Sequence, residues 1–175
     1  LTMKADKLAP GESGLLALDW WNGNRSILID NDLEGMMLGM TLATKPEDMY
    51  RALIEATAFG TRMISENFED NGSKVDEIFA TGGITQKNPM LMQIYADITG
   101  RPIWIAGSKY GSALGSAVMG ALAAGSENGG YDSVFDATKV MANLTDISYK
   151  PEPEAQKVYD RIFAHWKILH DYFGR

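Results

Sequence analysis

The chain has 175 residues, of which 45% are hydrophobic and 22% are charged, and its formal net charge is -7. These values are typical of one globular domain with a sizeable core. The acidic balance and the lack of any cluster of lysine and arginine argue against nucleic acid as a partner. No cysteine is present, so neither a disulfide nor a thiolate metal site can form. No apolar run reaches the length of a transmembrane helix and no signal peptide opens the chain, so we expect no membrane partner and a cytoplasmic location.

The first half of the chain predicts two short strands and one long helix. The residues before Pro10 are polar and are interpreted as a linker or a helix end. Apolar runs at 14–21 and 35–42 predict the strands. From Thr44 to Glu47 the sequence has the pattern of a capping box, and apolar residues at helical spacing then predict a helix over about 46–69.

A strand–turn–helix–strand unit begins the second half. Short apolar runs predict parallel strands at 77–81 and 102–106, and the residues between them predict a helix over 89–99. The turn after the first strand contains Gly82 and Gly83. In such units ligands bind beyond the carboxyl end of the strand, so the two glycines indicate a nucleotide-binding edge. A tight turn without a ligand is the alternative interpretation.

Three further helices are predicted, over 112–124, 134–144 and 152–173, with a loop at 126–132. The first of these contains two internal glycines, each of which costs roughly 1 kcal/mol relative to alanine in a helix. Close approach of this helix to the sheet or to a ligand would compensate for that cost.

Few side chains have a pattern that indicates chemistry. Asn88 precedes a proline and is predicted to cap the following helix, a role compatible with a contact to a nucleoside. Arg25 could bind a phosphate or a carboxylate across a cleft, and a surface arginine is the alternative. Asp19 stands at a strand end without an obvious partner and is interpreted as structural. His165 and His170 are five residues apart, do not share a helix face and predict no metal pair.

Four blocks of the sequence resemble a known family when they are read together. In chain order they are GLLALDWWNGNRS, LATKPEDMYRALIEATAFGTRMISENF, ATGGITQKNPMLMQIYADITGRPI and GSALGSAVMGALAAG. They resemble the C-terminal half of an FGGY-type carbohydrate kinase, and within that family they resemble the L-ribulose kinases most. The third block matches the second signature of the family, which ends at Gln93, Ala96 and Asp97. The resemblance covers about residues 8–125 well.

The resemblance implies an α/β fold, namely an actin-like, RNase H-like three-layer domain that is the incomplete C-terminal half of a two-domain sugar kinase. Residues 1–13 would be a linker or the remnant of an upstream element. Residues 14–125 would form the nucleotide-binding core, and residues 126–175 a C-terminal helical extension packed on the same domain. The helix of small residues would pack behind the nucleotide site.

The resemblance also implies the positions of the binding residues. Gly82, Gly83 and Asn88 match the adenosine motif of the family. Asn22 and Arg25 would lie near the cleft between the two domains, as candidate contacts to the substrate. The phosphate loops and the catalytic aspartate of the family lie upstream of the matched blocks. We therefore expect no catalytic residue and no metal ligand in this chain.

The function implied is the ATP-dependent phosphorylation of a ketopentose, L-ribulose to L-ribulose 5-phosphate, with ATP and Mg²⁺ as cofactors. The expected partners are a small sugar or polyol, the N-terminal domain of the same protein and, as in many family members, a second copy in a homodimer. The chain alone is expected to bind adenosine nucleotides weakly and to be inactive as a kinase. The alternatives are another kinase of the family, acting on xylulose, ribitol or glycerol, and a non-catalytic actin-like module that binds nucleotide.

Overall fold

The computed structural model describes residues 1–174 and has an α/β fold, which confirms the predicted class. The elements in chain order are α1 (Thr2–Ala5), β1 (Leu16–Leu18), β2 (Met36–Leu38), α2 (Pro46–Asp70), β3 (Ile78–Ala80), α3 (Gly83–Lys87), α4 (Pro89–Thr99), β4 (Ile103–Ala106), α5 (Gly111–Ala124), α6 (Val134–Met141), β5 (Leu144–Tyr149) and α7 (Pro153–Phe173). A short 3₁₀ turn, Ser126–Asn128, lies between α5 and α6. Every predicted helix and strand is present, although several have different ends.

Contacts within the chain divide it into two compact units. The first contains residues 1–76, residues 93–101 and the residues from Lys150 onward. The second contains residues 77–92 and 102–149. The boundaries predicted at residues 13 and 125 remain predictions, and the predicted C-terminal extension contributes residues to both units.

The first unit contains a two-stranded antiparallel sheet and the long helices α2 and α7. Strands β1 and β2 pair with Leu16 opposite Leu38. Helix α2 begins one residue later than the predicted capping box implies. The carboxylate of Asp48 accepts a hydrogen bond from the backbone N–H of Lys45 at 2.8 Å, whereas the hydroxyl of Thr44 accepts one from the N–H of Thr41. The carboxylate of the cap is therefore that of Asp48 and not that of Glu47.

The core of the first unit is largely aromatic. Phe59 on α2 lies between 5.9 and 6.1 Å from the rings of Tyr159, Phe163 and Trp166 on α7, measured between centroids. The indole N–H of Trp166 donates a hydrogen bond to the carbonyl of Ala17 at 2.8 Å, which fixes α7 to strand β1. These contacts explain the helical spacing of apolar residues along both helices, because each helix presents one apolar face to the other.

Two charged residues of α2 are also buried in the first unit. Arg51 donates hydrogen bonds to the carboxylate of Glu55 at 2.8 Å, to the hydroxyl of Tyr159 at 2.9 Å and to the carbonyl of Ala5 at 3.0 Å. The Tyr159 hydroxyl in turn donates to Glu55 at 2.8 Å. Burial is the largest influence on the pKa of Glu55 and raises it above the ordinary value. One polar network therefore connects α1, α2 and α7.

The second unit is built on a three-stranded sheet of order β3–β4–β5. Strands β3 and β4 are parallel, with Ile78 opposite Ile103, which confirms the predicted parallel pair. Strand β5 is antiparallel to β4, and its register is irregular between Trp104 and Ala106. No strand is predicted from the sequence in this place.

Two elements of the second unit differ from the prediction. The helix predicted over 134–144 ends at Met141, where Ala142 takes an extended backbone, and β5 follows. The segment after the two glycines, predicted as a turn, forms the short helix α3. Strand β5 contains Thr145, Ile147 and Tyr149, residues that favour strands, so the signal was present but short.

The two internal glycines of α5 do not approach the sheet, and the predicted approach to a ligand stays a prediction. An added Cβ at Gly115 or at Gly120 would meet nothing within 4 Å, so these two glycines face open space. The close approach occurs instead at Gly111, where a Cβ would overlap the side chain of Thr81. Among residues 1–174, no helix is both long and apolar enough to cross a membrane.

Candidate functional site

The carboxyl ends of the parallel strands β3 and β4 form one edge of the second unit. The hydroxyl of Thr81, the residue after β3, donates to the carbonyl of Ser108 at 3.3 Å. The side-chain amide of Gln86 on α3 donates to the carbonyl of Ala106 at 3.3 Å. Both contacts keep the segments that follow the two strands close to this edge of the sheet. Ligands bind at this edge in parallel α/β structures.

The two glycines of the predicted binding edge lie between β3 and α3. Gly82 has a φ of +108°, a backbone conformation that residues with side chains rarely adopt, and its carbonyl accepts a hydrogen bond from the Thr85 hydroxyl at 2.7 Å. Gly83 is the first residue of α3, and an added Cβ there would meet nothing within 4 Å. The backbone at both residues is therefore open to a ligand that approaches from outside.

Asn88 joins the end of α3 to the start of α4. Its backbone N–H donates to the carbonyl of Ile84 at 3.1 Å, and its side-chain oxygen accepts a hydrogen bond from the N–H of Leu91 at 3.2 Å. The predicted capping role is thereby confirmed. Asn88 is 9% exposed, so a contact to a nucleoside, which stays a prediction, would have to be made through a small exposed part of the residue.

A pocket of about 340 Å³ lies at this edge of the second unit. Its lining is mainly apolar and consists of Phe79, Thr81, Ala106, Ser108, Gly111, Leu114, Ala142, Asn143 and Leu144. A mainly apolar pocket with a few polar groups is the usual form of a site for a small molecule or a cofactor. This pocket could not be predicted from the sequence. Residues 142–144, which form part of its lining, belong to the unpredicted strand β5 and to the turn before it.

Asn22 and Arg25, the predicted substrate contacts, lie in the first unit, on the loop after β1. Asn22 is exposed and lines a shallow depression together with Trp21 and Glu34. Arg25 is exposed at the margin of a separate cavity and forms no ion pair with any residue in the range 1–174. The predicted site residues thus divide between the units, with the two glycines and Asn88 in the second.

The cavity beside Arg25 also contains Asp19, which the sequence analysis interpreted as structural. Its volume is about 310 Å³. Burial is the main cause that raises the pKa of the Asp19 carboxyl, while a hydrogen bond from its own backbone N–H and nearby His170 partly oppose the shift. Within residues 1–174 no other side chain donates a hydrogen bond to this carboxylate. The position at a strand end was the one signal that could have identified it.

The residues that the structure describes offer little to a metal ion. Among residues 1–174 no group of three or more histidine, cysteine, aspartate or glutamate side chains is placed to hold one. We therefore derive no step through a metal ion bound to this chain.

Comparison with known families identifies the class of protein. Residues 1–124 match the model of the C-terminal domain of the FGGY family of carbohydrate kinases. The chain belongs to this family. Its fold agrees with that assignment, because a xylulose kinase from Rhodospirillum rubrum matches 99% of the chain with a TM-score of 0.79 at 26% identity. A xylulose kinase from Lactobacillus acidophilus matches 98% with a TM-score of 0.82 at 23% identity and supports the fold alone.

Two curated relatives match the whole chain and have the same name. The chain is 58% identical over its whole length to a ribulokinase from Bacillus licheniformis and 57% identical to a ribulokinase from Halalkalibacterium halodurans. It spans 32% and 31% of those two proteins, and 34% of each of the two xylulose kinases. The chain therefore corresponds to about a third of the length of the relatives that it matches.

Proposed function

We propose that the intact protein transfers the γ-phosphoryl group of ATP to a hydroxyl group of a ketopentose, L-ribulose in the first place, and that this chain supplies the adenosine side of the ATP site. The observation that carries the proposal is the identity of 58% and 57% to two ribulokinases over all 175 residues. A cytoplasmic location and a homodimer stay predictions within this proposal.

The second unit supports the nucleotide part of the proposal through its geometry. The apolar pocket at the ends of β3 and β4 suits an adenine ring. The open backbone at Gly82 and Gly83 leaves room for the ribose to lie against the chain, because no side chain intervenes. Asn88 would contribute a hydrogen bond to the nucleoside while its oxygen keeps capping α4.

Phosphoryl transfer requires more than a nucleotide platform. Such enzymes hold the phosphates with metal ions and orient the attacking hydroxyl with a base. In this proposal those groups come from elsewhere in the intact protein, and the 175-residue chain alone binds nucleotide weakly. Measurable phosphorylation of L-ribulose by the purified chain would contradict this division of roles.

Gly83→Val in the intact protein tests the nucleotide site. An added Cβ at Gly83 meets nothing within 4 Å, and a valine side chain there would occupy the volume proposed for the ligand. We expect KM for ATP to rise by about tenfold or more, the equivalent of about 1.4 kcal/mol, while KM for the sugar changes little. Steady-state kinetics with each substrate varied in turn measures both constants.

Gly83→Ala is the matched control, because a smaller side chain should give a smaller rise in KM for ATP. Gly82 is unsuitable for such a series, since its φ of +108° would make any substitution strained. Equal rises in both KM values, together with a lowered melting temperature, would indicate misfolding and would contradict the proposed site.

A second candidate substrate has support from the fold comparison. The Rhodospirillum rubrum structure, 26% identical, is a xylulose kinase. A panel of L-ribulose, xylulose, ribitol and glycerol, assayed with the intact protein, separates the sugar kinases of the family by kcat/KM. Phosphorylation of none of them would favour the non-catalytic nucleotide-binding module.

A further inference from the structure

The cavity of the first unit is lined by groups that are suited to a polar ligand. It lies between the loop after β1, helix α2, residue 95 and helix α7, and it measures about 310 Å³. This volume is at the lower end of the range for small-molecule sites, which is roughly 300–1,000 Å³. A ligand of the size of a monosaccharide fits that volume better than a nucleotide does.

Two opposite charges of this cavity have room for further partners. The carboxylate of Asp19 is partly buried, accepts a hydrogen bond from its own backbone N–H and lies near His170. Within residues 1–174 it accepts no hydrogen bond from another side chain and forms no ion pair. The guanidinium of Arg25 likewise forms no ion pair with the described residues. Partial burial disfavours the charged form of the Asp19 carboxyl group, and further hydrogen bonds would offset that cost. A ligand that donates hydrogen bonds to Asp19 and presents an anionic group to Arg25 would satisfy both.

The neutral groups of the lining are hydroxyl groups and aromatic rings. The hydroxyl of Tyr95 is bound to that of Thr57 at 2.8 Å, and Thr61 lies one helical turn further along α2 with its hydroxyl bonded to the Thr57 carbonyl at 3.1 Å. The oxygens of these hydroxyl groups have further lone pairs that can accept hydrogen bonds. The buried indole of Trp166 provides an apolar wall. This mixture is suited to the hydroxyl groups and C–H faces of a sugar.

The loop that forms one wall of the cavity has a strained backbone. Ile27, which lines the cavity, has a φ of +84°, and Ile29 has a φ of +54°. Both are β-branched residues, for which this conformation is unfavourable. The loop is closed by two backbone hydrogen bonds between Asn24 and Asp30, of 2.7 and 2.9 Å. Strain of this kind concentrates at ligand clamps and active sites.

We propose that this cavity binds a hydroxylated anion of the size of a pentose phosphate, with Arg25 at the anionic group and Asp19 at the hydroxyl groups. The site is distinct from the nucleotide edge, since all of its lining belongs to the first unit. The proposal gives Arg25, a predicted contact to the substrate, a specific partner, namely the anionic group of the ligand. It rests on the proposed function only for the choice of probe.

Indole resonances provide a test that needs no ATP. The intact protein, labelled with ¹⁵N-tryptophan, is titrated with ribulose 5-phosphate, with ribulose and with inorganic phosphate, and signals are assigned by single Trp→Phe variants. We expect ribulose 5-phosphate to shift the signals of Trp20 and Trp166, which line the cavity. The signal of Trp104, whose indole donates to Glu77 in the second unit, serves as the internal control.

Two charge variants separate binding in the cavity from binding elsewhere. Arg25→Gln should weaken ribulose 5-phosphate at least tenfold and leave ribulose within twofold, whereas Asp19→Asn should weaken both sugars. Arg161→Gln and Asp146→Asn are the matched controls, because both residues are exposed and lie outside the cavity, and neither should change binding.

Three results would overturn the proposal. The first is an absence of shifts at Trp20 and Trp166 with all three probes. The second is equal affinity for inorganic phosphate and ribulose 5-phosphate, since the hydroxyl groups would then contribute nothing. The third is unchanged affinity for ribulose 5-phosphate in Arg25→Gln. A separate kinase assay on the same samples keeps these results distinguishable from a failure of the proposed function.

Discussion

The two units of this chain differ in the polar side chains that they bury. The first unit buries a charged pair, Arg51 and Glu55, whose side chains are 6% and 3% exposed, within a closed network of hydrogen bonds. Among the described residues, the buried polar side chains of the second unit are those of Thr85 and Asn88, which are neutral. A buried charge requires precise partners and is costly when one of them is removed, whereas a neutral group requires only its hydrogen bonds.

This difference shows where the stability and the binding capacity of the chain lie. In the first unit the polar network and the aromatic core join helices from distant parts of the sequence, so single substitutions there should be severe. In the second unit the tight contacts concentrate at the carboxyl ends of the strands, beside the proposed nucleotide pocket. Substitutions in each unit should therefore differ in size and in what they change.

The largest effect is expected from removing the buried guanidinium of the first unit. Arg51→Met leaves the Glu55 carboxylate buried without its cation. It also removes the hydrogen bonds that Arg51 donates to the Tyr159 hydroxyl and to the Ala5 carbonyl. Breaking a buried charge pair in this way costs about 3–5 kcal/mol of the free energy of unfolding. Urea denaturation, extrapolated linearly to water, measures the loss.

Two controls identify the cause of that loss. Arg161→Met changes an exposed arginine on α7 and should stay within about 0.5 kcal/mol of the original. Adding Glu55→Leu to Arg51→Met removes the unpaired carboxylate and should recover part of the stability. A loss below about 1 kcal/mol for Arg51→Met would mean that the network contributes little and that the contrast between the units is wrong.

A smaller effect is expected from filling the tight contact of the second unit. A Cβ at Gly111 would overlap the side chain of Thr81 at the end of β3. Overpacking of this kind costs about 1–3 kcal/mol, so Gly111→Ala should lower the free energy of unfolding by that amount. The same substitution should also disturb nucleotide binding, because both residues line the apolar pocket. Urea denaturation and the KM for ATP of the intact protein measure the two effects.

Gly115→Ala is the matched control in the same helix. Its added Cβ meets nothing within 4 Å, so the change should stabilise the protein by about 0.5–1 kcal/mol through helix propensity alone. Thr81→Ala, combined with Gly111→Ala, should relieve part of the overpacking. Equal effects of alanine at both glycines would show that the contact with Thr81 is not tight.

The elements that could be predicted from sequence are those whose signal is local. The helix Pro89–Thr99 was predicted with its bounds unchanged, since Asn88 and Pro89 define its start and Gly100 follows its end. The helix Pro46–Asp70 was predicted to within one residue. Strand β5 was missed because a six-residue segment between two helices has little periodicity, and its pairing with β4 comes from residues about 45 positions away.

The candidate site could be predicted only in part, for the same reason. The glycine edge follows a strand directly, so its position in the sequence indicates its position in the fold. The apolar pocket and the cavity of the first unit each need segments that are distant in sequence. Asp19, Tyr95 and His170 meet in one cavity although 151 positions separate the first from the last. No sequence pattern around Asp19 indicates that these three residues lie in one cavity. From the sequence alone the residue is therefore interpreted as structural.

The smallest effect, and one of opposite sign, is expected at this carboxylate. Burial raises the pKa of Asp19 above its ordinary value of 3.8, against the weaker opposing influences of a backbone hydrogen bond and of His170. Arg25 and Tyr95 also face the cavity. A carboxyl group with a raised pKa in the folded state stabilises the protein less as the pH rises through that pKa, because its charged form is disfavoured there. Asp19→Asn should therefore raise the free energy of unfolding at neutral pH.

The gain from Asp19→Asn should disappear as the pH falls below 3.8, where the carboxyl group is protonated in both the folded and the unfolded state. Melting temperatures measured across the range from about pH 3 to pH 7 test this dependence, with Asp146→Asn as the exposed control. A substitution that stabilises the fold while it weakens ligand binding is the pattern of a functional residue. If Asp19→Asn destabilises the protein at neutral pH, the carboxylate has a structural role after all, and the first unit then uses its buried charges for stability alone.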